Sequence, residues 1–115
     1  MTVILKICDA ADWAEAERSG LFQGSAIDLS DGYIHFSTAE QVAETASKHF
    51  AGRSDLVLVA VDAAMLGDKL RWETSRGGAL FPHLYADLPV TAALRVEPLL
   101  VDDTGRHVFP AWVDG

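Results

Sequence analysis

Six consecutive apolar residues, Leu56-Val57-Leu58-Val59-Ala60-Val61, constrain this chain more than any other stretch. The run has the length of a strand. With no polar residue on either side of the pleat, such a strand must be covered on both faces. That demands a layered domain, and 115 residues make one domain with a hydrophobic core that needs no staples. Half the residues are apolar, and Gly and Pro are unexceptional, so the chain reads as globular rather than disordered.

Around this run the chain falls into short elements. Val3 to Cys8 reads as a β-rich strand with a central place in the sheet. Asp9 offers a cap to a short acidic helix, Ala10 to Arg18, with Trp13 and Ala14 inward and Gly20 as its stop. Leu21 to Ser30 has no clean period and reads as a loop, tacked to the core by Leu21, Phe22, Ile27 and Leu29. After the apolar run, Asp62 can cap one helical turn through Met65 and Leu66, ended by Gly67. Leu70 to Ser75 reads as a strand with Arg71, Glu73 and Ser75 on one face, broken by Arg76-Gly77-Gly78. In Phe81-Pro82-His83-Leu84-Tyr85 the proline belongs on a sheet edge or in a loop, and in extended backbone Phe81, His83 and Tyr85 share a side. Val90 to Val101 reads as a long strand broken at Pro98. Asp102-Asp103-Thr104-Gly105 then turns the chain back into Arg106 to Trp112. Two early β-α steps followed by mostly β favour an α+β domain, and no Gly-rich phosphate loop is present.

Cys8 is the single cysteine, which excludes an internal disulfide and a cysteine-cluster metal site and fits a reducing cytoplasm. Met1 to Ile7 has no basic stretch before its short apolar run, so no secretory leader is expected, and no apolar segment reaches membrane-spanning length. A cytoplasmic protein with no membrane partner is the expectation. The formal net charge of −8 opposes general nucleic-acid binding but leaves room for a small anionic ligand in a locally basic pocket. Lys69, Arg71 and Arg76 are the only local gathering of positive charge worth naming, and a solvated surface explains them equally well.

Chemistry concentrates in Asp31-Gly32-Tyr33-Ile34-His35-Phe36-Ser37-Thr38-Ala39-Glu40-Gln41. Asp31-Gly32 marks a turn. The alternation that follows puts Ile34 and Phe36 on a core face and Tyr33, His35 and Ser37 on the other, towards a cleft. Two overlapping capping boxes, Ser37 with Glu40 and Thr38 with Gln41, then open a helix carrying Val42, Ala43, Ala46 and Phe50 at helical spacing, with Gly52 beyond its end. The polar strand face therefore ends at a helix N-terminus, which favours an anionic group. Ser37 or Thr38 as a plain cap, and His35 as a half-buried hydrogen-bonded histidine, explain the same pattern. Elsewhere, Glu73 suits a general base beside Arg71, or a surface ion pair. Trp72 reads as core. His35 and His83 are expected across one pocket, since neither has an obvious structural duty, and with one carboxylate they form the only metal set worth weighing.

The Asp31 to Val42 stretch, Leu70-Arg71-Trp72-Glu73 and Phe81-Pro82-His83-Leu84-Tyr85 together resemble a bacterial family of small proteins, domain-of-unknown-function family 952, over nearly the whole chain. The resemblance implies an ADP-ribosyltransferase-like fold, a split, mostly antiparallel sheet with flanking short helices. More narrowly, Ile34-His35-Phe36-Ser37 before a helix, then Leu56 to Met65, looks like the His-x-Ser segment, helix and strand of RNA 2′-phosphotransferases. In that superfamily the histidine and a neighbouring hydroxyl hold the adenosine-side ribose of NAD or of an ADP-ribosylated intermediate, a role that would fall on His35 with Ser37 or Thr38. The chain departs from those enzymes in having no arginine between Val3 and Asp12. The expectation is a small phosphorylated or nucleotide-like ligand, with NAD as a candidate substrate. Catalytic roles would fall on His35, Glu73 and His83, and ligand contacts on Tyr33, Ser37, Thr38, Arg71 and Tyr85. A non-catalytic binding module on the same fold, and a metal-dependent small hydrolase using His35 and His83, are the alternatives.

Overall fold

The apolar run forms a strand, Leu56–Asp62 (β4), inside a four-stranded sheet between Val3–Asp9 (β1) and Ala93–Val101 (β8), with His107–Val108 (β9) beyond. The computed structural model describes residues 1–113, with Arg76 described by its backbone alone. Because side chains alternate across a strand, β4 feeds two cores. Val59 and Val61 pack with Ile4, Cys8, Trp13, Phe22, Ile34 and Phe36. Leu56, Leu58 and Ala60 pack with Leu5, Ile7, Val42, Ala46 and Leu99 on the other face.

A second sheet has the order Ile34–His35 (β3), Leu80–Leu84 (β6), Leu70–Thr74 (β5), and Leu21–Phe22 (β2) pairs with Leu88–Pro89 (β7). All pairings of these strands are antiparallel. The chain crosses from one sheet to the other over two residues. Phe36 N–H donates to the Pro82 carbonyl at 3.0 Å, and Ser37 then exchanges backbone bonds with Leu5 at 2.7 and 2.8 Å. The result is an α+β domain with a curled, antiparallel sheet and three short α-helices among the described residues.

Several expectations need correction. β1 is terminal in its sheet rather than central, and the Leu5–Ser37 bridge covers its outer side. Pro82 lies in the middle strand of its sheet, not on an edge. It is tolerated there because β3 ends at His35: the Pro82 carbonyl still accepts from Phe36 N–H, and the one bond its missing N–H forgoes is to the Phe36 carbonyl, already past the end of the strand. Trp72, opposite Pro82, is 41 % exposed and not core. Val90–Ala92 is a turn of 3-10 helix, and β8 continues through Pro98 without a break. Its irregularity is at Leu94, which has no partner between the pairs Val61–Ala93 and Ala60–Arg95. The return segment of the Asp102 hairpin is a strand only at His107–Val108.

The helices are Ala10–Ser19 (α1), Ala26–Asp31 (α2) and Val42–His49 (α3). α1 stops at Gly20, whose φ of 93° is free of steric cost only for glycine. Trp13 and Ala16 are buried, Ala14 only half so. Asp9 makes no cap hydrogen bond and pairs with Arg53 instead. Before α3, Thr38 N–H donates to Gln41 Oε1 at 3.0 Å, the return bond of the second capping box. All of α2 but its last residue, Asp31, lies in the stretch read as a loop, and Leu21, Ile27 and Leu29 are exposed there; of the four expected anchors only Phe22 is core. No described helix is long and apolar enough to cross a membrane.

Two substitutions test this placement. Phe36→Ala, at a side chain 1 % exposed where the two sheets meet, is expected to lower stability by about 3–5 kcal/mol. Trp72→Ala should cost about 1–2 kcal/mol, as a half-solvated side chain outside both cores. Chemical denaturation of both variants measures the contrast, and a Trp72 cost equal to that of Phe36 would contradict the packing.

Candidate functional site

Register builds the site. β3 and β6 pair His35 directly opposite His83, and β5 adds Arg71 opposite His83 and Glu73 opposite Phe81. Cross-strand neighbours share a face, so the two imidazoles meet edge to face with centroids 5.5 Å apart. Tyr33, just before β3, stacks on His83 at 4.2 Å and tilts against His35 at 4.7 Å and Tyr85 at 5.1 Å. The Arg71 guanidinium lies 5.1 Å from the centre of the Tyr85 ring, a cation–π distance. Six of the expected residues, Tyr33, His35, Arg71, Glu73, His83 and Tyr85, are thus one cluster.

Ser37 and Thr38 are not in it. Ser37 shares the alternation of His35, but the chain has by then moved to the other sheet. Its buried hydroxyl bonds Thr45 Oγ1 of α3 at 2.9 Å. Thr38 lines an open depression of about 480 Å³ with Leu5, Ala60, Leu94, Arg95 and Trp112. A second depression of about 520 Å³ lies between α3 and the β8–β9 hairpin, and neither includes a residue of the His35 cluster. A plain structural role therefore describes Ser37, while the cap residue of α3 is Gln41 and Thr38 meets the helix start through its backbone.

Two hydrogen-bonded systems hold the cluster. In the first, Glu73 Oε1 accepts from His83 Nδ1 at 2.9 Å and from the Tyr85 hydroxyl at 2.6 Å. The Tyr85 bond first, then the His83 bond, keeps the Glu73 carboxyl below its ordinary range. The same Glu73 bond raises the Tyr85 hydroxyl, which stays protonated as a donor. Burial, then Asp31 and Glu73, raises Tyr33.

The second system passes from surface to core. His35 Nε2 meets Asp31 Oδ2 at 2.9 Å, and His35 Nδ1 meets Asp28 Oδ1 at 2.6 Å. A carboxylate only accepts, so each ring nitrogen of His35 faces an acceptor. Asp28, 1 % exposed, also accepts from Lys6 Nζ at 3.0 and 2.7 Å and from the backbone N–H groups of Ser25 and His35. Burial alone would raise the Asp28 carboxyl. The His35 bond, the Lys6 charge and bond and the Ser25 N–H outweigh it and bring it down to about 2. Gly24 lets α2 approach this closely, since a Cβ there would sit 2.8 Å from Asp28 Cβ.

Sequence reasoning missed Lys6 and Asp28, and took Asp31 only as a turn. Two signals were available. Ser25 and Asp28 have the i, i+3 spacing of a helix start, and a lysine amid the apolar residues of β1 requires a counter-charge. His35 is correspondingly not a free pocket side chain, because its ring helps to hold a buried carboxylate. The remaining basic residue of the expected patch, Arg76, has its side chain outside the described residues. No group of three or more His, Cys, Asp or Glu placed to hold a metal is found among the described residues. Cys8 is buried, and that burial pushes its thiol up to about 12, far from a reactive thiolate.

The Asp28 shift fixes an acid dependence. A carboxyl near 2 in the folded chain and 3.8 in the unfolded one stabilises the fold fully above pH 4. That contribution, about 2 kcal/mol, is lost as the pH falls through about 2. Asp28→Asn should flatten this acid limb. It should also cost about 3 kcal/mol near neutral pH, since Lys6 stays buried without its counter-charge. Denaturant melts across the acid range compare the two proteins, and an unchanged slope in the variant would remove Asp28 from this role.

Comparison with known proteins includes two solved structures of one relative. The crystal structure of protein CC0527 from Caulobacter crescentus is 48 % identical, with a TM-score of 0.94 over 98 % of this chain and 99 % of that one. The solution NMR structure of CC0527 is 52 % identical over 92 % and 91 %, with a TM-score of 0.83. No curated protein matches. Residues 7–96 match the family model described as protein of unknown function (DUF952), and the chain belongs to that family.

Proposed function

We propose that the His35 face binds a small ligand joining a planar ring, ribose-type hydroxyls and an anionic group, as NAD and ADP-ribose do, on an ADP-ribosyltransferase-like variant of the fold. The observation that carries this reading is the pairing of His35 with His83 beneath Tyr33 and Tyr85, with Glu73 and Arg71 at the same rim. Tyr33 and Tyr85 offer ring faces for stacking. Asp31 and Glu73 accept from hydroxyls; among the described residues Glu73 Oε2 takes no hydrogen bond. Arg71 supplies the charge for a phosphate. The hydroxyl that the phosphotransferase resemblance assigned to Ser37 or Thr38 would here come from Tyr33 or Tyr85.

Binding fits these groups better than turnover. A general base works best with a pKa near the operating pH, whereas Glu73 is held low by its two donors. His83 is 4 % exposed, so it supports Glu73 rather than meeting a substrate. Both ring nitrogens of His35 are taken by carboxylates, which also weighs against the metal-dependent hydrolase. The transferase version adds one role: Glu73 would polarise the attacking group as the nicotinamide leaves.

Calorimetric titration with NAD and ADP-ribose tests the proposal, with an unphosphorylated nucleoside as control. Tyr33→Ala should weaken binding by about 1–3 kcal/mol through lost stacking. Arg71→Ala should weaken ADP-ribose while leaving the nucleoside unchanged. Release of nicotinamide from NAD would select the transferase version. A folded wild type that binds none of the three ligands would leave the cluster a structural network.

A further inference from the structure

The outer edge of β8 is open along a defined window. On one side β8 pairs with β4 from Ala93 to Leu99, and on the other its only strand partner among the described residues is β9, at Leu100 and Val101. Val90–Ala92, before the window, is a 3-10 turn. Ala93 to Leu99 therefore present an edge with no strand against it among the described residues. The window is also apolar and solvated: Leu94 is 49 % and Val96 39 % exposed, and Leu100 and Val108 beside it are 64 % and 50 % exposed. An exposed apolar edge strand is a template for another strand.

We propose that this edge pairs with the same edge of a second copy of the chain, antiparallel about a twofold axis at Val96. The sequence of the window is complementary to itself in that register. With Val96 opposite Val96, Arg95 of each chain stands opposite Glu97 of the other, and Ala93 opposite Leu99. Arg95 and Glu97 lie two residues apart, on one face of the strand, where within one chain both meet Trp112: Glu97 Oε1 accepts from Trp112 Nε1 at 2.8 Å, and the Arg95 guanidinium lies 5.2 Å from the centre of its ring. Both opposite-charge pairs form on that side, beside the Trp112 ring. The ends fit as well. The residues that would fall opposite Leu100 and Val101 are Ala92 and Thr91, where the strand has already given way to the turn, in the place that β9 fills. Pro98 and the unpaired Leu94 face one another in this register and limit regular pairing to Arg95, Val96 and Glu97. A twofold contact of this kind closes on itself and yields a dimer, not a filament.

The window is remote from the His35 cluster in the pairing scheme, so the two proposals fail independently. Sedimentation over a concentration series is expected to show the wild type rising to twice the mass of the chain. Arg95→Glu and Glu97→Arg each set like charges opposite one another and should each leave a folded monomer, as followed by circular dichroism. Mixed in equal amounts, the two variants regain opposite charges at both positions and should dimerise. Among Arg95 to Glu97, the wild-type amides that point away from β4 should exchange more slowly as concentration rises, a measurement that needs no variant. A wild type monomeric at every concentration overturns the proposal. So does a dimer indifferent to both substitutions, a mixture that stays monomeric, or exchange at these amides that ignores concentration.

Discussion

The buried ion pair between Lys6 and Asp28 is the constraint on which the polar half of this structure depends. Two charges removed from water repay the loss only with close geometry and further hydrogen bonds, and both conditions are met here. Lys6 Nζ spans both carboxylate oxygens, and Ser25 and His35 supply the remaining donors. A fully apolar trio of similar size could match the stability. What it could not do is fix direction. The pair ties β1, in one sheet, to α2 and through His35 to β3, in the other, so Tyr33 is delivered to the same spot each time the chain folds.

From that anchor the rest of the face follows by register. Once His35 is set against His83, the β5–β6 pairing leaves no choice about where Arg71 and Glu73 emerge. Glu73 then collects the two donors that β6 and its C-terminal neighbour present, one nearly buried and one at the surface. A short, two-residue strand would be a poor platform alone. Here it is braced on one side by β6 and underneath by a charge network that reaches the core.

How much of this was legible depends on the kind of signal. β4 was plain from its unbroken apolar run, and the burial of Ile34 and Phe36 from alternation. The gathering of His35 and His83 was anticipated because neither histidine had a structural duty in its own stretch. Ser37 was misplaced because alternation assumes one continuous strand, whereas the chain changes sheets after Phe36, a long-range event with no local mark. Asp28 was missed for a similar reason. Beside Ile27 and Leu29 it looks like a surface acid, whereas in the fold those apolar residues face out and the charge faces in. Pro82 misled in the opposite sense, since a rule about middle strands gives way where the neighbouring strand is two residues long.

The double duty of β1 and β4 has a bearing on how chains of this kind can vary in length. Each strand sends alternate residues into two separate cores, so inserting or deleting one residue would exchange the two sets beyond that point. In β1 it would also swing Lys6 away from Asp28 into the opposite, wholly apolar cluster. Point changes that conserve size can be absorbed position by position, but a change of length in these strands cannot. Length drift among descendants of such a chain is therefore confined to its connections, around Gly52, Gly77 and Asp103, while the strands keep their residue count even as their residues change.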